Sequence, residues 1–206
     1  MQKFIYINIF MQLYTQEIRS HIHAIKLDLP VENSVILSEL VKETWLPDEA
    51  RNGQDAFATR FRIRQLQSSI LQDIEHYIEH GGFKQKIIHE LWTTNFGSYW
   101  GVTQDYIDKI TVIYGLFTKD SPGYNIRIHT DDRMHVVQGM IYFIPTDDPD
   151  QSTTFYTSYN GDNPLRVATG PGLGYFAGNT SHSWHTGKNA STEDRYSLIF
   201  GIRLNL

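Results

Sequence analysis

The stretch ITVIYGLFTKDSPGYNIRIHT, residues 110–130, decides the fold class. It opens on a run of Ile, Val, Tyr and Phe that ends near Phe117, the β-branched and aromatic content of a strand. Asp120-Ser-Pro-Gly123 is a turn sequence, and a second apolar run occupies 124–130. The same alternation continues towards the C-terminus. Strands are expected near 110–117, 124–130, 136–144, 153–157, 165–168, 173–177, 181–186 and 195–204. The breaks between them are Pro145-Thr-Asp-Asp-Pro149, Asn160-Gly-Asp-Asn-Pro164, Gly170-Pro-Gly172 and Gly187-Lys-Asn189. Short strands at this spacing, with such punctuation, indicate a sandwich or barrel.

Upstream the period changes from two to about 3.6. Asn33 or Ser34 caps an expected short helix with Val35, Ile36, Leu40, Val41 and Trp45 on its apolar face, ended by Pro47. Phe57, Phe61, Leu66, Ile70, Ile74, Tyr77 and Ile78 then recur mostly at three- and four-residue steps, which predicts a longer helix. Gly81-Gly82 stops it as a left-handed cap would, and residues 83–92 read as a third helix with Ile87, Ile88 and Leu91 inward. No Gly/Ser-rich linker separates the halves. The expectation is one domain, α+β and mainly β: residues 1–105 a largely helical support, residues 106–206 the β core.

Composition sets the limits on function. The chain has 206 residues, 13% aromatic and 20% charged, and no cysteine. A chain of this length buries roughly 70% of its unfolded surface, enough for a core without staples. Zero Cys excludes a disulfide framework, a Cys zinc site, a Cys nucleophile and an iron–sulfur cluster. The aromatic content, with a mean hydropathy of −0.37, excludes a disordered chain and a membrane protein. The formal charge of −5 argues against neutralising a phosphate backbone, so no nucleic-acid partner is expected. The first residues, MQKFIYINIFMQLY, are too short and too polar to span a bilayer and lack a small-residue cleavage site. They read as a first strand or helix on the core of a cytoplasmic protein.

Within the β half, Asn125-Ile-Arg-Ile-His129-Thr-Asp131 carries chemistry. On a regular strand His129 and Asp131 share a face, with Asn125 and Arg127 beside them. A second histidine stretch, Ser181-His182-Ser-Trp-His185, lies some fifty residues on, and Arg195-Tyr-Ser197 opens the last strand. Strand parity lets His182 or His185, not both, face a shared centre. Two imidazoles and one carboxylate that leave coordination positions open suit non-haem Fe(II), whereas a closed all-histidine site suits zinc.

These residues resemble the Fe(II)/2-oxoglutarate-dependent dioxygenase superfamily over about the last hundred residues. The resemblance implies a double-stranded β-helix (jelly-roll) core with the N-terminal helices packed on one sheet. It implies His129, Asp131 and His185 as catalytic metal ligands, His185 standing ten residues before Arg195. It implies Fe(II), 2-oxoglutarate as cosubstrate, and O2. Arg195 would take the distal carboxylate, since its fixed fork stays charged and bonds a carboxylate bidentately, and Ser197 would add a hydrogen bond. The implied reaction is hydroxylation of an unactivated C–H in a small-molecule, peptide or sugar substrate, with succinate and CO2 released. The alternatives are a non-catalytic jelly-roll binding module and a cupin-like metal enzyme that needs no 2-oxoglutarate.

Other motifs carry less. His76-Tyr-Ile-Glu79-His80 fits the H-x-x-E-H of helical zinc peptidases, but Tyr77 and Ile78 hold the core face of that helix and leave the histidines solvated. Gly172-Leu-Gly-Tyr-Phe-Ala177 fits a dinucleotide fingerprint without the helix that must follow, and reads as a sheet turn. His135 reads as a loop histidine. Ile141 and Phe143 form the more apolar face of their strand, so Tyr142 is expected to point outward.

Overall fold

The computed structural model describes residues 11–48, 60–94 and 96–205. In chain order the elements are β1 (Leu13–Arg19), β2 (Ile22–Leu27), α1 (Asn33–Lys42), β3 (Trp45–Pro47), β4 (Arg60–Ile63), α2 (Ser69–His80), α3 (Phe83–Thr93), α4 (Phe96–Trp100) and α5 (Gln104–Ile110). They continue as β5 (Thr111–Asp120), β6 (Tyr124–Asn125), β7 (His135–Tyr142), β8 (Thr153–Tyr156), β9 (Leu165–Arg166), β10 (Leu173–Gly178), β11 (Trp184–Asn189) and β12 (Arg195–Leu204). An eight-stranded sheet runs β1-β2-β10-β7-β12-β5-β4-β3, and a four-stranded sheet runs β6-β11-β8-β9. Every pairing in both is antiparallel. The architecture is a jelly-roll with the helices on the outer face of the large sheet.

Period-two alternation divides the interior into two cores. Along β12, Leu198, Phe200 and Ile202 join Val137, Ile141 and Phe176 under the helices. Ile199 turns the other way, joining Met140, Tyr142, Tyr175, Ala177 and Phe155 between the sheets. The helices meet the first core with stripes at helical spacing: Leu71, Ile74 and Ile78 from α2, and Phe83, Ile87, Ile88 and Leu91 from α3. Each such side chain, fully buried, contributes about 1.5–3 kcal/mol. The N-terminus of α2 is held by the buried Glu43 carboxylate, which accepts from the amides of Gln67 (2.9 Å) and Ser68 (2.8 Å). An anion there also complements the helix dipole.

The predicted strands from residue 110 onward all have counterparts, with 124–130 shortened and 181–186 shifted to β11. The helical reading of the first half needs three corrections. Phe61 lies on strand β4 rather than on a helix, and Phe57, like residues 1–10, lies outside the described residues. Trp45 lies on β3, beyond the end of α1, and of the expected α1 face only Ile36 and Leu40 are buried; Val35 and Val41 are exposed. Residues 13–27 form a β-hairpin paired to β10, which widens the large sheet. Gly81 closes α2 and Gly82 takes the left-handed conformation at φ 81°, as the double glycine implied.

Candidate active site

His129 follows β6 and forms a two-hydrogen-bond bridge with His185 of β11: His129 N–H donates to His185 O (3.0 Å) and His185 N–H to His129 O (2.8 Å). That pairing sets the imidazoles side by side, 4.4 Å between centroids. Each ring also donates from Nδ1 to a carbonyl two residues earlier, His129 to Arg127 O (2.8 Å) and His185 to Ser183 O (3.0 Å). A carbonyl only accepts, so each ring carries a proton on Nδ1 and has Nε2 as its other ring nitrogen. Asp131 completes the group, with Oδ2 3.8 Å from His185 Nε2 and its side chain as enclosed as that of His185. The three residues offer ligand atoms within 4.8 Å of one another, and they are the metal-capable cluster found among the described residues. Two imidazoles and one carboxylate fit a divalent metal of the Fe(II) type with positions left for other ligands.

The His129 segment is not the regular strand expected. Ile126 N–H bonds Gly187 O, and His129 N–H bonds His185 O. Three residues on one side therefore span two on the other, a β-bulge. The extra residue reverses parity, so Ile126 lines the cavity with His129, while Asn125 and Arg127 are exposed. The loop after Asp131 is pinned by Asn179, whose amide donates to Asp131 O (3.3 Å), Asp132 O (2.8 Å) and His135 O (3.0 Å). His182 is exposed and outside the cluster. His135 meets the Tyr114 hydroxyl at 3.1 Å instead. His76 and His80 are exposed on α2, and the Glu79 carboxylate accepts the Gly115 amide.

The three residues line one cavity together with Met140, Thr153, Tyr175, Gly187, Ile199, Arg60 and Arg195. Arg195 is fully buried. Its guanidinium donates to Asp120 Oδ2 from Nε (3.1 Å) and Nη2 (2.5 Å), and from Nη1 to Gln151 O (3.1 Å) and Lys188 O (2.7 Å). Asp120 accepts as well from Arg60 Nε (2.6 Å) and Nη2 (2.9 Å). Burial alone would raise the Asp120 carboxyl; the two guanidinium groups outweigh it and hold it below the usual carboxylate range. Burial would likewise lower Arg60, and Asp120 reverses the sign. Ser197 is fully buried, with Oγ 2.9 Å from Thr118 Oγ1. A Cβ built on Gly187 would sit 3.6 Å from Arg195 Nη2, so a side chain there would intrude on the cavity.

Several neighbours carried no usable sequence signal. Tyr142 points inward: it is fully buried and its hydroxyl donates to Thr153 Oγ1 at 2.8 Å. Burial pushes the hydroxyls of Tyr142 and Tyr175 above their ordinary range, so both remain protonated donors. On the outer side, Asp131 borders a groove of about 660 Å³ walled by Tyr99, Trp100, Trp184, Arg133 and Asn179. It comes from the α4 turn, the loop after Asp131 and the start of β11.

No family model matches the sequence, and no curated protein matches it. Solved structures do match. The chain is similar to a prolyl-4-hydroxylase from Pseudomonas putida, with TM-score 0.58 and 14% identity, covering 96% of this chain and 95% of that one. It is similar to a Trichoplax adhaerens prolyl hydroxylase solved with a hypoxia-inducible-factor peptide fragment, with TM-score 0.57 and 12% identity over 89% of this chain and 84% of that one. HygX from Streptomyces hygroscopicus, solved with nickel and 2-oxoglutarate, gives TM-score 0.56 and 9% identity over 91% and 84%. These likenesses show a shared fold, the jelly-roll of the 2-oxoglutarate and Fe(II) oxygenases.

Proposed function

We propose that this chain is a non-haem Fe(II)- and 2-oxoglutarate-dependent dioxygenase that hydroxylates an unactivated C–H of a small-molecule, peptide or sugar substrate. The observation that carries the reading is one cavity lined both by the cluster of two histidines and a carboxylate and by a buried arginine. His129, Asp131 and His185 would hold the metal. Iron with 2-oxoglutarate supplies dioxygen activation coupled to decarboxylation, with succinate and CO2 as co-products.

The protein's own share is orientation and exclusion. The carbonyls of Arg127 and Ser183 each hold an imidazole by its Nδ1, so that Nε2 is the ligand atom each ring would offer. Arg195 anchors the distal carboxylate of the cosubstrate, with Ser197 as its neighbour on the same face of β12. Met140, Ile199 and Phe155 keep that end dry, which strengthens the ion pair. The groove beside Asp131 receives the substrate and brings its target carbon to the open side of the ligands.

The test is succinate formation by purified protein given Fe(II), 2-oxoglutarate and air, across a panel of amino acids, peptides, sugars and other small molecules. Substrate-stimulated succinate release that is lost in Asp131→Ala and His185→Ala is the expected result. Turnover that survives without 2-oxoglutarate, or in either variant, would overturn the proposal.

A further inference from the structure

The groove beside Asp131 has a chemistry of its own. Its aromatic walls are Tyr99 and Trp100 from α4 and Trp184 from the start of β11, and Arg133 and Asn179 join them from loops. At about 660 Å³ it has the size of a small-molecule site. The walls are braced from behind. Tyr99 stacks on Phe96 at 6.5 Å, and its hydroxyl accepts the Ser181 amide at 3.3 Å. Trp184 meets the Tyr159 ring edge-on at 5.6 Å. Aromatic faces fixed in this way take a flat molecule at little ordering cost.

Two groups on this wall that can only donate lack partners. Arg133 is exposed and makes no hydrogen bond or ion pair among the described residues, whereas Arg166 and Arg195 both pair with carboxylates. The Trp100 Nε1 is enclosed and unpartnered, although Trp92 Nε1 on α3 donates to Val102 O at 3.0 Å. A guanidinium and an indole N–H fit an acceptor, and a guanidinium fits an anionic one best. Among the described residues Asp131 is the one carboxylate on the wall, and as a metal ligand it faces the charge of the metal. The one cation left over balances a monoanion such as a carboxylate; a phosphate group brings close to two charges.

We propose that the substrate of this site is a small carboxylic acid built on a flat ring, with the ring against Tyr99, Trp100 and Trp184 and the carboxylate taken by Arg133. Arg133 follows Asp131 by two residues, so an acid held there stays beside the metal ligands. This rests on the oxygenase reading above.

The test uses anaerobic protein loaded with Fe(II) and 2-oxoglutarate. Benzoate, phenylacetate and 3-phenylpropionate are each compared with their neutral amides by calorimetry, and the visible charge-transfer band reports the metal centre separately. Arg133 is exposed, so Arg133→Gln folds, which the thermal melt verifies. The expected result is that at least one acid binds about tenfold or more tightly than its amide. Arg133→Gln should abolish that preference, and Arg133→Lys should keep part of it. If no acid binds better than its amide, or if the preference survives in Arg133→Gln, the substrate class is wrong and the oxygenase reading stands. If the wild-type protein shows no band with 2-oxoglutarate, the oxygenase reading itself falls, and the substrate class with it.

Discussion

Asp120→Asn removes one negative charge from between two buried guanidinium groups while leaving the side-chain volume nearly unchanged. Four charge-assisted hydrogen bonds converge on that carboxylate, from Arg60 and Arg195, at 2.5–3.1 Å. The Asn189 amide bond to Asp120 O involves backbone and survives the change. Removing one partner of a buried ion pair costs about 3–5 kcal/mol, since both buried cations lose the charge they share. For a domain of this size each kcal/mol moves Tm by about 2–4 °C, so the expected fall is about 6–20 °C. Calorimetric melts at pH 7 measure it. Because the cluster is shielded from solvent, the fall should persist in high salt, unlike that of a surface pair. Arg60→Gln should lower Tm by less, since the Asp120–Arg195 pair stays in place. The pH signature has a definite sign. With its folded value depressed, the Asp120 contribution is complete above the ordinary carboxyl value of 3.8 and is lost as the pH falls below it. A shift of under about 2 °C in Asp120→Asn would refute the claim that this row is a desolvated ion cluster.

Two further predictions concern stability. His23 is 2% exposed, stacks on Phe176 at 4.5 Å, and has no hydrogen-bond partner at either ring nitrogen among the described residues. Burial, only partly offset by Glu17 and Glu90, holds it below the ordinary value of 6.5, and His21 pushes it lower still. The unfolded chain therefore binds the proton first, and stability falls as the pH drops below 6.5. Urea midpoints at pH 7.5 and 5.5 should diverge less in His23→Leu than in the wild type; equal divergence would remove His23 from the account of acid sensitivity. At Gly174 a Cβ would lie 1.9 Å from Met140 O, across a backbone that cannot give way cheaply, whereas at Gly115 the nearest atom is 3.5 Å off. Gly174→Ala should cost about 1–3 kcal/mol or more by denaturant titration and Gly115→Ala much less; equal costs would contradict the close packing of β10 on β7.

The C-terminal half was legible because its strands are short, rich in β-branched and aromatic residues, and cut by Pro/Gly turns. The two histidines and the aspartate were visible as a pattern, and the main-chain pairing of His129 with His185 brings them together. The failures have physical causes. Strand parity misplaced Arg127 because one extra residue enters the pairing between Ile126 and His129, and a bulge there has no glycine to announce it. Tyr142 was misread because β7 is buried on both faces, so alternation no longer separates inside from outside. The β1–β2 hairpin turns through His21 at φ 63°, without the Asn-Gly or Asp-Gly sequence that marks such turns. Phe61 fell into a helical spacing by coincidence across the four-residue strand β4. The Arg60–Asp120–Arg195 row joins residues 60 and 75 positions apart, a distance at which no local period exists.

The central claim is that His129, Asp131 and His185 hold one metal ion onto which 2-oxoglutarate closes. Anaerobic titration of the purified protein with Fe(II), followed by 2-oxoglutarate, tests it most directly. The account predicts one equivalent of iron, a weak visible charge-transfer band when 2-oxoglutarate is added, and loss of both in His185→Ala but not in His182→Ala. A protein that takes up no iron, or a band that persists in His185→Ala and vanishes in His182→Ala, would contradict it.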